Sequence, residues 1–211
     1  KQYISAFLGN IGVVYLTLGQ YEQALENFEQ ALTTHRELGD RRGESDNLTN
    51  IGNVYLNRGQ FEQALEYFEQ ALVIKQEINE RQGEGRVLNN IAMVYQNLGR
   101  YEQALKYYEQ SLKIKQTIGD RQGEGNGLGN LGKLHVDFGQ YEQALSSFKQ
   151  ALAIARELGN RWLESKALSG IGLVYWSKGQ YRQALESYEQ ALAIAQEIGD
   201  RQGEGRGLDG I

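Results

Sequence analysis

The chain has 211 residues, of which 40% are hydrophobic and 23% charged, and a net charge of -5 at pH 7, which is enough apolar material for a sizeable core. An acidic chain without clustered Lys and Arg is not expected to bind nucleic acid. The absence of cysteine excludes a disulfide scaffold or a cysteine metal site, and no apolar run approaches the roughly 20 residues of a membrane helix.

One segment recurs along the chain at a fixed interval. Gly19–Leu25 reads Gly-Gln-Tyr-Glu-Gln-Ala-Leu, and similar segments follow every 40 residues, at Gly59–Leu65, Gly99–Leu105, Gly139–Leu145 and Gly179–Leu185. Such self-similarity is typical of repeat architectures. We therefore divide the chain into five units and a partial sixth, which span residues 1–40, 41–80, 81–120, 121–160, 161–200 and 201–211.

Each unit is predicted to form two amphipathic helices. In the second unit, Leu48, Ile51 and Tyr55 are spaced by three and four residues, and the same spacing continues after Phe61. Gly59 interrupts the pattern inside the unit. Gly-Asp pairs such as Gly39-Asp40 interrupt it between units, because Gly ends a helix in a left-handed conformation and Asp caps the next one.

A small residue follows a large aliphatic residue in every first helix, and we expect it to face an alanine of the second helix. Gly in a helix interior costs roughly 1 kcal/mol relative to Ala, so its recurrence implies a packing requirement. The small residues are Gly12, Gly52, Ala92, Gly132 and Gly172, and the alanines are Ala24, Ala64, Ala104, Ala144 and Ala184.

These small residues, together with the tyrosines after them and the Ala, Phe or Tyr and Ala or Ser positions of the second helices, resemble the signature of the tetratricopeptide repeat. The resemblance covers essentially the whole chain. It implies an all-α fold, a right-handed α-solenoid or superhelix of five helix-turn-helix repeats, in a single domain over 1–211. The 40-residue period exceeds the usual period of about 34. In this it is similar to Pins-like spindle adaptors, kinesin light chains and bacterial signalling proteins.

A stack of this kind presents a concave groove lined by the first helix of each repeat, and the resemblance implies that a partner protein or peptide binds there. The outward positions of the first helices vary between units while the packing positions hardly change. Variation of this kind fits a binding face, and it also fits drift at exposed sites. The candidate groove residues are Asn50, Asn53, Arg86, Asn89, Asn90, Met93, Gln96, Asn97, Asn130, Lys133, Lys166 and Trp176.

The charges of the candidate groove suggest the class of ligand. Arg86, Lys133 and Lys166 outnumber Asp137, so the later part of the groove is mildly basic on an acidic protein. We expect an acidic or amphipathic peptide, with apolar pockets near Leu56, Met93 and Trp176.

Two features of the groove have alternative interpretations. Asparagines recur at Asn10, Asn50, Asn90 and Asn130, where an amide can bind a peptide backbone or bridge adjacent first helices. Trp176 is either an exposed anchor for the partner or a contact with the following helix.

We expect no catalytic activity, cofactor or metal. Arg and Glu recur three residues apart, as in Arg41 and Glu44, and again in every unit to Arg201 and Glu204. A motif repeated in this way predicts an inter-repeat ladder of ion pairs, not an active site. His35 and His135 are too scattered for a metal site, and His135 replaces a packing tyrosine.

Besides an interaction module, two further functions are compatible with the sequence. The first is the sensor or recruitment region of a larger signalling protein or enzyme whose catalytic domain lies outside this chain. The second is head-to-tail self-association through uncapped ends, since Tyr3 and Ile4 are apolar and Ile211 falls inside a predicted helix. The residues given contain no secretory leader, and we expect a cytoplasmic location.

Overall fold

The computed structural model describes residues 2–200, which form ten α-helices and no strand. The helices are α1 (Gln2–Thr17), α2 (Tyr21–Leu38), α3 (Arg41–Asn57), α4 (Phe61–Glu77), α5 (Arg81–Asn97), α6 (Tyr101–Thr117), α7 (Arg121–Asp137), α8 (Tyr141–Glu157), α9 (Arg161–Ser177) and α10 (Tyr181–Ile198). The all-α fold of tandem helical hairpins is therefore confirmed. The predicted partial unit 201–211, with Arg201 and Glu204, lies outside the described residues.

Glycines and capping side chains set the turns between helices. Gly19 and Gly59 end the turn inside a hairpin with φ of 71°, a left-handed conformation that glycine adopts without a steric penalty. At the second junction Asn79 takes this role with φ of 53°. The carboxylate of Asp40 accepts a hydrogen bond of 3.0 Å from the Gly43 amide, which caps α3 as the sequence predicted.

The chain clusters into two compact units, Lys1–Ser111 and Leu112–Ile211, with the boundary inside α6. In the first unit α1, α2, α3, α4 and α5 pack in succession, and α3 also contacts the first helices α1 and α5. In the second unit α7, α8, α9 and α10 pack in succession, and α7 also contacts α9. The prediction of a single domain over 1–211 stays a prediction.

The small residues of the first helices pack against aromatic rings. A Cβ added to Gly12 or Gly52 would lie 2.6 Å from the ring of Phe28 or Phe68, and both rings are fully buried. The sequence prediction placed alanines opposite these glycines. The nearest atoms to an added Cβ are instead those of the aromatic ring four positions after each alanine, so the ring occupies the space that a side chain at the glycine would need.

The recurring Arg and Glu pair within each first helix from α3 to α9, and at Glu44 and Glu164 the pairing extends to an Arg of the preceding repeat, as predicted for a ladder of ion pairs. In α9, the carboxylate of Glu164 accepts hydrogen bonds from Arg161 at 2.6 Å and from Arg156 of the preceding α8 at 2.9 Å. Burial raises the pKa of Glu164, but the two guanidinium groups outweigh burial, so its pKa is lowered overall. Glu44 binds Arg41 and Arg36 in the same way. Glu84 and Glu124 pair with Arg81 and Arg121 of their own helices, and from the preceding repeat they accept hydrogen bonds from the neutral side chains of Gln76 and Gln116.

One position in the second helices buries ionisable side chains. Lys75 of α4 is only 1% exposed, and its ammonium group binds Asp46 at 2.6 Å and also contacts Glu80. Lys115, at the same repeat position in α6, is also buried. No carboxylate between residues 2 and 200 lies within ion-pair distance of Lys115, and burial lowers its pKa.

Candidate functional site

All of the predicted groove residues lie on the first helices α3, α5, α7 and α9, and none of them is buried. They fall into two groups, because α3 and α5 belong to the first compact unit and α7 and α9 to the second. The first unit holds Asn50, Asn53, Arg86, Asn89, Asn90, Met93, Gln96 and Asn97, and the second unit holds Asn130, Lys133, Lys166 and Trp176.

In the first unit, amide groups connect neighbouring first helices. The side-chain amide of Asn90 in α5 donates a hydrogen bond of 3.0 Å to the Asn53 carbonyl oxygen in α3. This is the bridge between helices that one of the two sequence interpretations describes. Asn97 donates to the backbone carbonyl of Met93 at 2.7 Å, and the Met93 side chain is exposed at the surface.

In the second unit, three of the predicted residues line one pocket. An open pocket is lined by Asn126, Gly129, Asn130, Lys133, Phe148, Ala151, Leu163, Lys166 and Ala167. The first helices α7 and α9 form its sides, and Phe148 and Ala151 of α8 lie between them. The structure thus brings Asn130, Lys133 and Lys166 together. Trp176 is not among the lining residues.

Two glycines shape this pocket. A Cβ on Gly129 would meet nothing within 4 Å, so this position leaves open space. A Cβ on Gly170 would lie 2.4 Å from the Phe148 ring. The four earlier units have Asn at the position of Gly170. Without that side chain, the backbone of α9 packs directly on the ring, and the ring is held as the apolar floor of the pocket.

The two lysines give the pocket a cationic rim. The Lys166 ammonium group lies 4.0 Å from the centroid of the Trp162 ring, a cation–π contact that orients the amine. Lys133 is exposed on α7. The lining residues of the pocket include no carboxylate, so an anionic group that entered it would meet two amines and two amides.

Trp176 contacts the next helix, as one of the two sequence interpretations proposed. Its ring packs edge-on against Tyr181 of α10, with the centroids 5.1 Å apart and the planes at 66°. Nevertheless 47% of Trp176 is exposed. The side chain is therefore held in place by Tyr181 while one side of it still faces solvent.

Sequence reasoning missed the floor of the pocket and the support of its lysine. Phe148 was assigned only to packing, and Trp162 was not singled out. The available signal was the spacing of Trp162 and Lys166, which are four residues apart and so share a helix face. A second signal was the replacement by Trp of the Arg or Gln found at this position in the other units.

Between residues 2 and 200, no group of three His, Asp or Glu side chains is arranged to hold a metal. His135 is hydrogen-bonded through Nδ1 to the Gln140 side chain at 2.8 Å. Among the same residues, no helix is both long and apolar enough to cross a membrane.

Comparison with known families gives the same repeat. One family model described as tetratricopeptide repeat matches residues 3–77, 84–157 and 128–197, and a second of the same description matches 49–109. The chain belongs to the tetratricopeptide repeat family. Tetratricopeptide repeats build protein-interaction scaffolds and are generally not catalytic. No curated protein matches the sequence.

Solved structures share the tetratricopeptide fold at low sequence identity. A Rap protein complexed with Competence and Sporulation Factor has a TM-score of 0.85 at 20% identity, with 96% of this chain and 57% of that chain covered. A kinesin light chain-like protein of Podosopora anserina has a TM-score of 0.74 at 20% identity, with 95% of this chain and 99% of that chain covered. A signal transduction ATPase of Pyrococcus horikoshii with a tetratricopeptide repeat sensor has a TM-score of 0.84 at 22% identity. The alignment covers 96% of this chain and 31% of that chain. The present chain thus spans under two thirds of the Rap and ATPase chains.

Proposed function

We propose that this chain binds a peptide segment of a partner protein on the groove face of its first helices. The observation that carries the proposal is the pocket between α7 and α9, which joins an apolar floor at Phe148 to the amines of Lys133 and Lys166. Concave sites with an apolar lining and a few oriented polar groups are the usual form of a ligand site.

The pocket favours an acidic, amphipathic peptide. A leucine, methionine or phenylalanine side chain would enter over Phe148, and a neighbouring Glu or Asp would reach the amine of Lys133 or Lys166. Complementary charge of this kind steers association and selects the partner. In the first unit, the amides around Asn53 and Asn90 would bind the backbone of an extended peptide, since each amide can both donate and accept.

The test is binding of short fluorescein-labelled peptides, each with a central Leu or Phe flanked by Glu, measured by fluorescence anisotropy on the full chain. A matched set of peptides with Lys in place of Glu controls for nonspecific hydrophobic binding of the central residue. We expect the acidic set to bind and the basic set to fail. Equal binding of the two sets would refute the assigned role of the lysines.

Two variants locate the binding site. Replacing both Lys133 and Lys166 by Glu should weaken binding by at least about tenfold, equivalent to about 1.4 kcal/mol. The matched control is the same reversal at Lys113 and Lys149, which are exposed outside the pocket and change the net charge equally. Gly129→Leu should also abolish binding, because its side chain would extend into the pocket. If the control weakens binding as much as the pocket variant, the effect is only overall charge.

A second candidate function is the sensor or recruitment region of a larger signalling protein. It is favoured by the similarity to the signal transduction ATPase of Pyrococcus horikoshii, which has a tetratricopeptide repeat sensor. This role would use the same face. The complete reading frame tests it directly, since a catalytic or nucleotide-binding domain joined to these repeats would support it.

A further inference from the structure

The first helix of the fourth repeat, α7, is richer in glycine than the other first helices. It contains five glycines in 17 residues, whereas α1, α3, α5 and α9 contain two each. Glycine in a helix interior is disfavoured relative to alanine, because it loses more backbone freedom on folding. By this measure α7 has the weakest helix propensity of the five, although it forms one side of the pocket between α7 and α9.

Packing accounts for three of the five glycines. A Cβ on Gly123 would lie 2.1 Å from the carboxylate that caps α7. One on Gly125 would lie 2.7 Å from the Leu163 side chain, and one on Gly132 would lie 2.8 Å from the Phe148 ring. At these three positions a larger residue would collide with its surroundings, so glycine is required by the packing.

Packing does not account for the other two glycines, which lie in the middle of α7. A Cβ on Gly127 would meet Leu112 and Lys115 at 3.5 Å, an ordinary van der Waals contact, and one on Gly129 would meet nothing within 4 Å. The other repeats have Phe, Asn, Val or Ala at the first of these positions and Gly, Thr, Asn or Ser at the second. The chain thus keeps glycine at two places where a residue that favours the helix would fit.

The side chain beneath Gly127 also weakens the packing of α7. Lys115 of α6 is only 8% exposed, and its amine would lie 3.5 Å from a Cβ on Gly127. One repeat earlier, the amine of Lys75 is paired with Asp46 and Glu80, but no carboxylate between residues 2 and 200 pairs with Lys115. A buried amine without a counter-charge disfavours the packed arrangement. The amine regains water when α7 moves away from it.

We propose that α7 opens locally while α9 stays folded, and that this opening takes the pocket apart. Asn126, Asn130 and Lys133 all line the pocket from α7, so the open form lacks one side of it. Folded chains open locally in this way at a lower free energy than that of global unfolding. For the ligand, the inference rests on the proposed function: a peptide that contacts both α7 and α9 binds only the closed form and therefore stabilises it.

The experiment is amide hydrogen exchange of the full chain without ligand, measured by mass spectrometry of peptic fragments and corrected for intrinsic exchange rates. Residues 126–133 of α7 should exchange at least about tenfold faster than residues 166–173 of α9, which occupy the same positions one repeat later. Because a local opening exposes little surface, exchange in α7 should depend less on urea than exchange in α9.

Two variants show which helix opens. Gly127→Ala should slow exchange in α7 by about fourfold to fivefold, the factor given by the difference in helix propensity. The matched control is Ser169→Ala, which favours the helix in α9 at the position equivalent to Gly129 and should leave exchange in α7 unchanged. Three results would overturn the proposal: equal exchange rates in α7 and α9, no effect of Gly127→Ala on α7, and slower exchange of α7 in Ser169→Ala, which would mean that the two helices open together.

The acidic peptides of the anisotropy assay test the coupling to the ligand. A peptide that binds should slow exchange in α7 progressively as its concentration rises above its Kd. A peptide that binds without slowing exchange in α7 would refute the coupling. If no acidic peptide binds, the proposed function fails, and the exchange rates of the free chain and its two variants still decide whether α7 opens.

Discussion

Lys75 and Lys115 occupy the same repeat position, yet their replacement by Met is expected to have opposite effects on stability. The Lys75 ammonium group is paired with the carboxylates of Asp46 and Glu80. Glu80 is mostly buried, with a side-chain exposure of 17%, so removing the amine leaves it without its main counter-charge. Burial alone raises the pKa of Glu80, but Lys75 and the Gly83 amide lower it overall.

The magnitudes follow from these contacts. A hydrogen bond to a charged group contributes roughly 1.5–3 kcal/mol to stability. The loss at Asp46 is smaller, because its side chain is 48% exposed and water can replace the amine of Lys75. We expect Lys75→Met to lower the free energy of unfolding by about 1–3 kcal/mol. Lys115→Met removes a buried amine without an ion-pair partner among residues 2–200, so we expect no loss, or a gain of up to about 1 kcal/mol.

The assay is urea denaturation followed by circular dichroism at pH 7, with the exposed Lys113→Met as control, which should change stability by less than about 0.5 kcal/mol. A loss at Lys115 as large as that at Lys75 would refute the reasoning. A pH series adds a second check. The pKa of Lys115 is lower in the folded chain than the ordinary value of 10.5, so the unfolded chain binds more protons between the two values. Between these two pKa values the free energy of unfolding of the parent chain rises with pH. The difference in stability between Lys115→Met and the parent therefore becomes smaller over that range.

Two further predictions concern packing and acid stability. Gly129→Ala in α7 should stabilise the chain by about 0.5–1 kcal/mol through helix propensity. Gly132→Ala should destabilise it by about 1–2 kcal/mol, because its Cβ would lie 2.8 Å from the Phe148 ring. The thermal midpoints of unfolding of the two variants test both predictions. Glu164 has a lowered pKa in the folded chain, so its contribution is complete above the unfolded value of about 4.3 and is lost as pH falls through the folded value. Glu164→Gln should therefore show a shallower loss of thermal midpoint on acidification than the parent, and an unchanged slope would contradict the assignment.

The repeat made much of the fold predictable. Hydrophobic spacing of three and four, glycine at the turns and Asp at the junctions were sufficient to predict two helices per unit, as with Asp40 before α3. The same periodicity predicted which side of each first helix faces outward. All of these features depend on interactions between residues close in sequence, so they can be recognised without coordinates.

Features that depend on distant residues could not be predicted in this way. Lys75 looks like an ordinary solvated lysine of an amphipathic helix, but its partner Asp46 lies 29 positions earlier. The pocket over Phe148 depends on how closely α9 approaches the ring, which is decided by the missing side chain of Gly170. Such distances follow from packing between helices, and the pattern of a single helix does not contain them.

Comparison among the repeats nevertheless separates packing from binding positions. A Cβ on Gly43 would lie 2.2 Å from the His35 ring, and one on Gly83 would lie 2.8 Å from the Lys75 side chain. Where the second helix has the small Ala155, the first helix that follows has Leu163, which is itself buried.

A large residue in the second helix is thus followed eight positions later by glycine, and the small Ala155 is followed by the large Leu163. A position that varies between repeats can therefore still be constrained by packing. Lys133 and Lys166 also vary between repeats, and both line an open pocket between α7 and α9. Substitutions between repeats that follow a packing partner preserve the stack. Under the proposed function, substitutions that change the lining of the open pocket are expected to alter what the chain binds, so we expect the second unit to hold the site of the partner.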